Sequence, residues 1–384
     1  MRIERFQVEG FLGRAVPIEC KMNPDVNIVT GFNGSGKTNL LKLLWYTLSG
    51  NINSLLREVM FSSLEIDTDL YSVKISKFSE HTCHGWIKHA GKIREVEDIY
   101  DIDDDVEVDA RDIFSQFLQE IGASLFFPTF RRIEGGFTIV SDEKPLRSPN
   151  ALLSLGLGRP AASDLQKAVS DVSQRLTNKQ HTFVTSISTI DISELLLLRY
   201  TRLSENSSKF QTKSTQEIIS RIRSFRIEQE PESAANSQDA SAILDEIAAK
   251  IEDIDRQRES TMAPFKAVTN LVQRIFRHKS IQINKSVSLG DAANAISSDL
   301  LSAGEKQMLS FICYNAFFDQ MPIFIDEPEL SLHVDWQRTL FPTLESQGTS
   351  NQFIIATHSP FIYSKYPEKE IKLASARGDE GDHA

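Results

Sequence analysis

The spacing of apolar residues changes twice along the chain. At the N-terminus Ile3, Phe6 and Val8 begin a strand, and Ala15 to Cys20 gives a second. Val26 to Val29 is a short apolar run bounded by Asp25 and Gly31, the pattern of a buried strand. A helix follows from Lys37 to about Ser49, with Leu40, Leu41, Leu44 and Leu48 on one face. Residues 60–100 read as antiparallel strands, with Val73, Ile75, Trp86 and Ile87 as core positions between polar turns. Ile113 to Ile121 is an amphipathic helix, and Ser124 to Phe130 a short apolar strand ended by Pro128.

The middle of the chain has helical periodicity. Leu165, Val169, Val172 and Leu176 share one stripe, Leu195 to Leu198 lies in a further helical segment, and Ile243, Ile247, Ile251 and Ile254 form another stripe. Pro264 is expected to interrupt or restart that last helix. Residues 204–216 and 228–241 are polar and read as exposed loops. From Ser280 the short-run pattern returns. Ile281, Ile283 and Val287 suggest a strand, Ser302 to Phe317 a helix, and Ile323 to Ile325 a buried strand. Leu340 to Leu344 lies on a helix, and Phe353 to Ala356 on another buried strand. No internal repeat is visible. The ends are α/β and the middle helical, so one α/β domain (1–150 and 280–384) is expected to be split by a helical insertion at 151–279.

Composition sharpens this picture. The chain has 384 residues, 40% hydrophobic and 25% charged, ample for a large core without disulfides or a structural metal. Three distant cysteines, Cys20, Cys83 and Cys313, fit a reducing compartment. The N-terminus has no apolar stretch of a signal peptide and no window reaches membrane-spanning length, so a soluble, cytoplasmic protein without a membrane partner is expected. Net charge is −11, of which −9 falls between Glu95 and Asp112. That acidic run reads as a solvated loop or edge strand, with docking of a basic partner the alternative. Nucleic acid remains possible as a partner but is not indicated by charge.

The chemistry is carried by two segments. Gly31-Phe-Asn-Gly-Ser-Gly36-Lys37-Thr38 is a full G-x-x-x-x-G-K-[ST] match, following a predicted strand and opening a predicted helix. Backbone amides of Asn33, Gly34, Ser35 and Gly36 can turn inward around phosphate oxygens, reinforced by the helix N-terminus. Lys37 would neutralise the β- and γ-phosphates of ATP and Thr38 would ligate Mg²⁺. The second segment, Ile323-Phe-Ile-Asp326-Glu327-Pro328, is an apolar strand ending in two carboxylates. Asp326 would hold the Mg²⁺ shell, and Glu327 would orient or deprotonate the attacking water. His81, Cys83, His84 and His89 match no established metal spacing, and strand alternation sets neighbours on opposite faces.

Between these segments lies Leu301-Ser302-Ala303-Gly304-Glu305-Lys306-Gln307, which resembles the signature of the ABC-type ATPases. Glu329-Leu-Ser-Leu-His333 resembles the loop after the second carboxylate, and Ala356-Thr-His358-Ser-Pro360 the switch-histidine segment. The N-terminal RIERFQVEGF and GFNGSGKTNLL are similar to the SMC/RecF branch, and EPELSLH and ATHSP to the OLD-type defence ATPases. The resemblance spans residues 1–366. It implies an ABC-type P-loop ATPase fold, α/β with an antiparallel β lobe and a helical insertion. It also implies ATP sandwiched between two protomers, with the signature residues Ser302, Gly304 and Glu305 of one facing the nucleotide bound by the other, and Ser302 and the Gly304 amide contacting its γ-phosphate. His358 would hydrogen-bond that phosphate or the water. Two departures stand out. His333 occupies a position where many members have Asp, and the glutamine expected between the first two motifs has no clear counterpart. Gln116 lies on the helix of the acidic segment, and Phe126 to Arg132 is the better positional match. Arg131 and Arg132 there read as surface salt-bridge residues, with a phosphate contact the alternative.

The resemblance to Septu, retron-associated and PARIS-type systems implies an antiphage-defence ATPase that holds a separate toxic effector, a nuclease. The 26 residues after His358 are too few for the Toprim nuclease of OLD proteins, so no nuclease activity of its own is expected. The alternative is a RecF-like DNA clamp, for which Lys209, Lys213, Arg221, Arg223 and Arg226 are candidate contacts, diluted by Glu217, Glu228 and Glu230. A transporter subunit fits poorly, and the insertion is expected to be too short for an SMC-like coiled-coil arm and hinge.

Overall fold

The computed structural model describes residues 1–101, 106–129, 171–184, 189–228, 237–275 and 302–373. They fall into two compact units, Met1–Asp191 with Asp299–Ala384, and Ile192–Ser298. The expected borders at 150/151 and 279/280, the helix register from Leu165 and Val169, and the strand from Ile281 lie outside the described residues, as do Arg131 and Arg132.

The first unit contains two sheets of different kinds. Strands β1 (Ile3–Glu9), β2 (Ile18–Lys21), β4 (Ser63–Thr68), β5 (Tyr71–Lys77), β6 (Cys83–His89) and β7 (Lys92–Val96) pair antiparallel in the order β2-β1-β4-β5-β6-β7. Their alternating burial follows the two-residue period of a sheet with one face on the core: Phe6 and Val8, Leu64 and Ile66, Val73 and Ile75 are buried. The expected core position Trp86 falls on the other face and is half-buried, while Ile87 is buried. A small ribbon, β8 (Ile99–Asp101) with β9 (Val106–Val108), leads into α3 (Ala110–Glu120), capped by the Asp109 side chain accepting from Arg111 N–H. The described part of the acidic run thus forms a ribbon and a capped helix start.

The second sheet is parallel. It contains β3 (Val26–Thr30), β10 (Ser124–Phe127), β11 (His181–Phe183), β12 (Pro322–Asp326), β13 (Gln352–Ala356) and β14 (Glu370–Lys372), ordered β11-β10-β12-β13-β3-β14. Every residue of β3, β10, β12 and β13 is buried, which is why these strands are mainly apolar, with Asn27, Ser124, Asp326 and Gln352 as buried polar positions among them. Helix α1 (Lys37–Leu48) joins one hydrophobic cluster with both sheets and with α2 (Ile52–Glu58) and α3, and Leu40 to Leu48 are buried apart from half-buried Lys42. Trp45 packs on Phe126 and Phe183 with ring centroids 5.3 Å apart in each case.

The second unit is a pair of long helices, α4 (Thr189–Glu228) and α5 (Ser237–Ile275), the first residues of α4 belonging to the first unit. At 1.5 Å per residue each is about 60 Å long. Arg221 Nε donates to Glu246 Oε2 at 3.1 Å and Lys250 Nζ to Glu217 Oε2 at 2.9 Å, which sets the helices antiparallel. Leu203, Phe210 and Ile218 on α4, and Ile247, Ile254 and Phe265 on α5, are half-buried seam positions recurring every two or three turns. Three expectations are corrected here. Residues 204–216 are not a loop but the middle of α4, because a narrow seam holds a helix whose remaining faces are polar. Of 228–241, Glu228 and residues 237–241 are helical. Helix α5 runs through Pro264 without a break. Among the described residues no helix is long and apolar enough to cross a membrane.

Candidate functional site

In a parallel sheet all strands end on the same side, and β13 lies between β3 and β12. The loop after β3, the carboxylates at the end of β12, and the Thr357–His358 segment after β13 therefore meet at one edge, the usual place for a ligand in such a sheet. Asp326 pairs with Ala356, and Ala356 with Val29, so the three strand ends are level.

The glycine loop is shaped by its backbone. Gly36 caps α1 with φ 92°, a left-handed conformation, and a Cβ there would collide with Leu12 Cδ1. Asn33 and Gly34 are exposed, Gly36 and Thr38 half-buried, Ser35 and Lys37 buried. Ser35 Oγ is buried with no hydrogen-bond partner among the described residues, a polar atom left over inside a phosphate-shaped loop. Arg14, from the segment between β1 and β2, donates to Ser35 O at 2.7 Å, and burial lowers the pKa of its guanidinium. Nothing in the sequence pattern singled out this arginine.

Lys37 Nζ donates to Gly31 O at 3.1 Å and Phe32 O at 3.2 Å, and lies 2.6 Å from His358 Nε2. An ammonium has only donors, so Nε2 is the acceptor. Burial pulls the Lys37 pKa below its ordinary value, opposed by the nearby charges of Glu327, Asp326 and Glu329. His358 Nε2 is also 3.9 Å from Glu327 Oε1. Glu327 sits at φ 48°, strained for a residue with a side chain, and its N–H donates to Ala356 O at 2.8 Å.

Asp326 is almost fully buried. Thr38 Oγ1 donates to its Oδ1 at 3.1 Å and its Oδ2 at 2.9 Å, and Thr129 Oγ1 donates to Oδ2 as well. Two hydroxyls and one carboxylate form an all-oxygen donor set, which fits Mg²⁺. Thr129 follows β10, inside the Phe126 to Arg132 segment that best matches the position of the family's glutamine. The sequence drew attention to Arg131 and Arg132 and passed over the threonine. Gln116 is exposed on α3.

The signature residues sit at the start of α6 (Ala303–Phe317). Ser302 is the N-cap, with Glu305 N–H donating to Ser302 Oγ at 3.4 Å and Ser302 N–H to Glu305 Oε2 at 2.7 Å, a reciprocal capping box. Gly304 packs against the Ser331 carbonyl, which a Cβ would strike, and Gln307 Nε2 donates to Pro328 O at 2.9 Å. The signature helix thus rests on the 328–331 turn of its own chain. His333 caps α7 (Val334–Glu345), its Nδ1 accepting from Asp335 N–H at 3.5 Å.

Among known proteins, "Retron Vc95 probable ATPase" of Vibrio cholerae serotype O1 biovar El Tor is 39% identical over 51 residues, 13% of this chain. The match spans only 10% of that relative's length. Two solved structures superpose loosely. The Smc head domain with an extended coiled coil, bound to the C-terminal domain of ScpA and derived from Pyrococcus furiosus, gives a TM-score of 0.40 at 13% identity over 94% of this chain and 91% of that one. An SmcHead bound to the C-winged helix domain of ScpA gives 0.42 at 11% identity over 95% and 91%. Residues 114–364 match a family profile that takes in Asp326, Glu327 and His358, while the 31–38 loop lies outside it. With about two thirds of its length matched, the chain belongs to the family described as AAA domain, putative AbiEii toxin, Type IV TA system.

Proposed function

We propose that this chain is the ATP-binding and hydrolysing subunit of an antiphage defence complex, that it pairs through an ATP sandwich, and that it holds a separate toxic effector, a nuclease. The observation that carries the ATPase reading is the convergence of Lys37, Thr38, Asp326, Glu327 and His358 at one sheet edge. Asn33, Gly34, Ser35 and Gly36 offer backbone amides to the phosphates. Lys37 exchanges its contact with His358 for phosphate oxygens. Thr38 and Asp326 hold Mg²⁺, whose charge offsets that of the phosphates. Glu327 takes a proton from the attacking water, and His358 hydrogen-bonds the γ-phosphate or that water.

Ser302, Gly304 and Glu305 serve the partner protomer's nucleotide. Ser302 lies at a helix N-terminus, where hydroxyl and amides favour an anion. The ATPase domain is assigned to 1–150 with 280–384, and the insertion to 151–279. A family described as a type IV TA system and a relative described as a retron ATPase both support a partnered role.

The test is a tagged pull-down of the chain expressed with its native neighbouring genes and ATP, wild type against Glu327→Gln. A stoichiometric nuclease partner supports the defence reading. A homodimer that retains duplex DNA in an ATP-dependent way replaces it with the RecF-like clamp. Glu327→Gln should keep ATP binding, trap the dimer and slow turnover at least about 100-fold, the lower range for a general base. Equal turnover in the two proteins sinks the assignment of Glu327.

A further inference from the structure

Glu329 follows the Asp326–Glu327 pair by two residues, and both of its carboxylate oxygens face the segment that carries His358. Oε1 accepts from the His358 backbone N–H at 2.6 Å, and Oε2 accepts from Thr357 Oγ1 at 2.8 Å. Thr357 is fully buried, and its hydroxyl also accepts from Ser359 N–H at 2.9 Å. Ser359 Oγ donates to Gln337 Oε1 at 2.6 Å, and Gln337 Nε2 donates to Leu332 O at 2.8 Å. Three successive residues, 357 to 359, are thereby tied to the turn and helix that follow Glu327.

We propose that Glu329 is a positioning residue for His358: it fixes the backbone from which the imidazole reaches Lys37 and Glu327. This rests on the reading that His358 acts on the γ-phosphate or the water. The N–H of His358 lies two residues past the end of β13, and the Glu329 carboxylate takes it as a charge-assisted acceptor. Reacting groups must be held closely, because small misplacements cost large factors in rate. Glutamine separates geometry from charge here. Its amide oxygen can accept from His358 N–H, and its NH₂ can donate to the second lone pair of Thr357 Oγ1, so the His358 bond is kept while the Thr357 hydroxyl proton loses Glu329 as its acceptor.

The experiment compares Glu329→Gln, Glu329→Ala, His358→Ala and the double variant Glu329→Ala/His358→Ala in the full chain. Amide hydrogen exchange over 352–363 is measured with and without ATP. Exchange in Glu329→Ala should quicken about 10-fold at His358 as local opening becomes easier, and stay at the wild-type rate in Glu329→Gln. Turnover in Glu329→Ala should fall about 10-fold or more with ATP affinity within about 3-fold, while Glu329→Gln keeps turnover within about 3-fold. The double variant should be no slower than His358→Ala, because the two residues act through one group.

Unchanged exchange in Glu329→Ala overturns the proposal. So does a multiplicative loss in the double variant, or a Glu329→Gln as slow as the alanine variant. If His358→Ala turns over like wild type, it is the catalytic reading of His358 that falls. The exchange result still decides whether Glu329 holds the segment.

Discussion

Lys37 Nζ and His358 Nε2 lie 2.6 Å apart, although 321 residues separate them in sequence. The contact joins the helix that starts at the glycine loop to the segment after β13. The ammonium's other two bonds, to Gly31 O and Phe32 O, are to neutral carbonyls. A buried cation so arranged gains from an arriving polyanion.

Lys37→Ala removes that cation and should abolish detectable nucleotide binding. A charge-assisted bond of about 2 kcal/mol corresponds to a loss of about 30-fold, and Lys37 would make more than one. Titration of the full chain with a fluorescent ATP analogue at fixed Mg²⁺ checks this. Binding within about 3-fold of wild type would remove Lys37 from the phosphate site.

Thr129→Val deletes the second hydroxyl on the Asp326 carboxylate while keeping its shape. A hydrogen bond to a charged group contributes about 1.5–3 kcal/mol, so the Mg²⁺ concentration for half-maximal turnover should rise about 10-fold or more. Thr129→Ser, which restores the hydroxyl, should return it toward the wild-type value. No shift in the Mg²⁺ titration would show that Thr129 is a bystander.

Gly304→Ala sets a methyl against the Ser331 carbonyl and should destabilise the packing of α6 on the 328–331 turn. Overpacking of this size costs about 1–3 kcal/mol. Calorimetry should find the first unit melting several degrees lower, at about 2–4 °C per kcal/mol. An unchanged melting temperature would mean that the turn moves aside freely.

His181 contributes a pH dependence to stability. It is fully buried, with Nδ1 2.8 Å from Ser124 Oγ, and burial pushes its pKa down to about 4. The unfolded chain takes up this proton below about 6.5, whereas the folded chain resists it. The stabilisation is therefore complete above that pH and is lost as pH falls through the window down to about 4. The whole swing is roughly 3 kcal/mol. Melting temperatures at pH 7 and 4.5 should differ more for wild type than for His181→Asn. Parallel acid limbs for the two proteins would rule this group out as the cause.

The buried strands β3, β12 and β13, the glycine loop and the signature helix were legible in the sequence because each is a local pattern. An apolar run, a G-x-x-x-x-G-K-T spacing and the Leu301–Gln307 signature need no distant partner to be recognised, whereas the Ser302–Glu305 capping box was seen only in the structure. The helix pair was legible only in part. Its stripe at Ile247 and Ile254 stood out, but residues 204–216 hold a helix through Phe210 and Ser214 against a polar background, and no strong periodicity marks them. Trp86 was misplaced because its neighbour Ile87 takes the inward position, and which of two adjacent apolar residues points in depends on register. What only the tertiary structure decided is the meeting of distant segments. The insertion of β13 between β3 and β12 brings His358 to Lys37, the end of β10 brings Thr129 to Asp326, and the turn after β12 brings Glu329 to Thr357 and His358. The physical reason is that strand order in a parallel sheet is fixed by crossover connections and non-local packing, which leave no periodic trace along the chain.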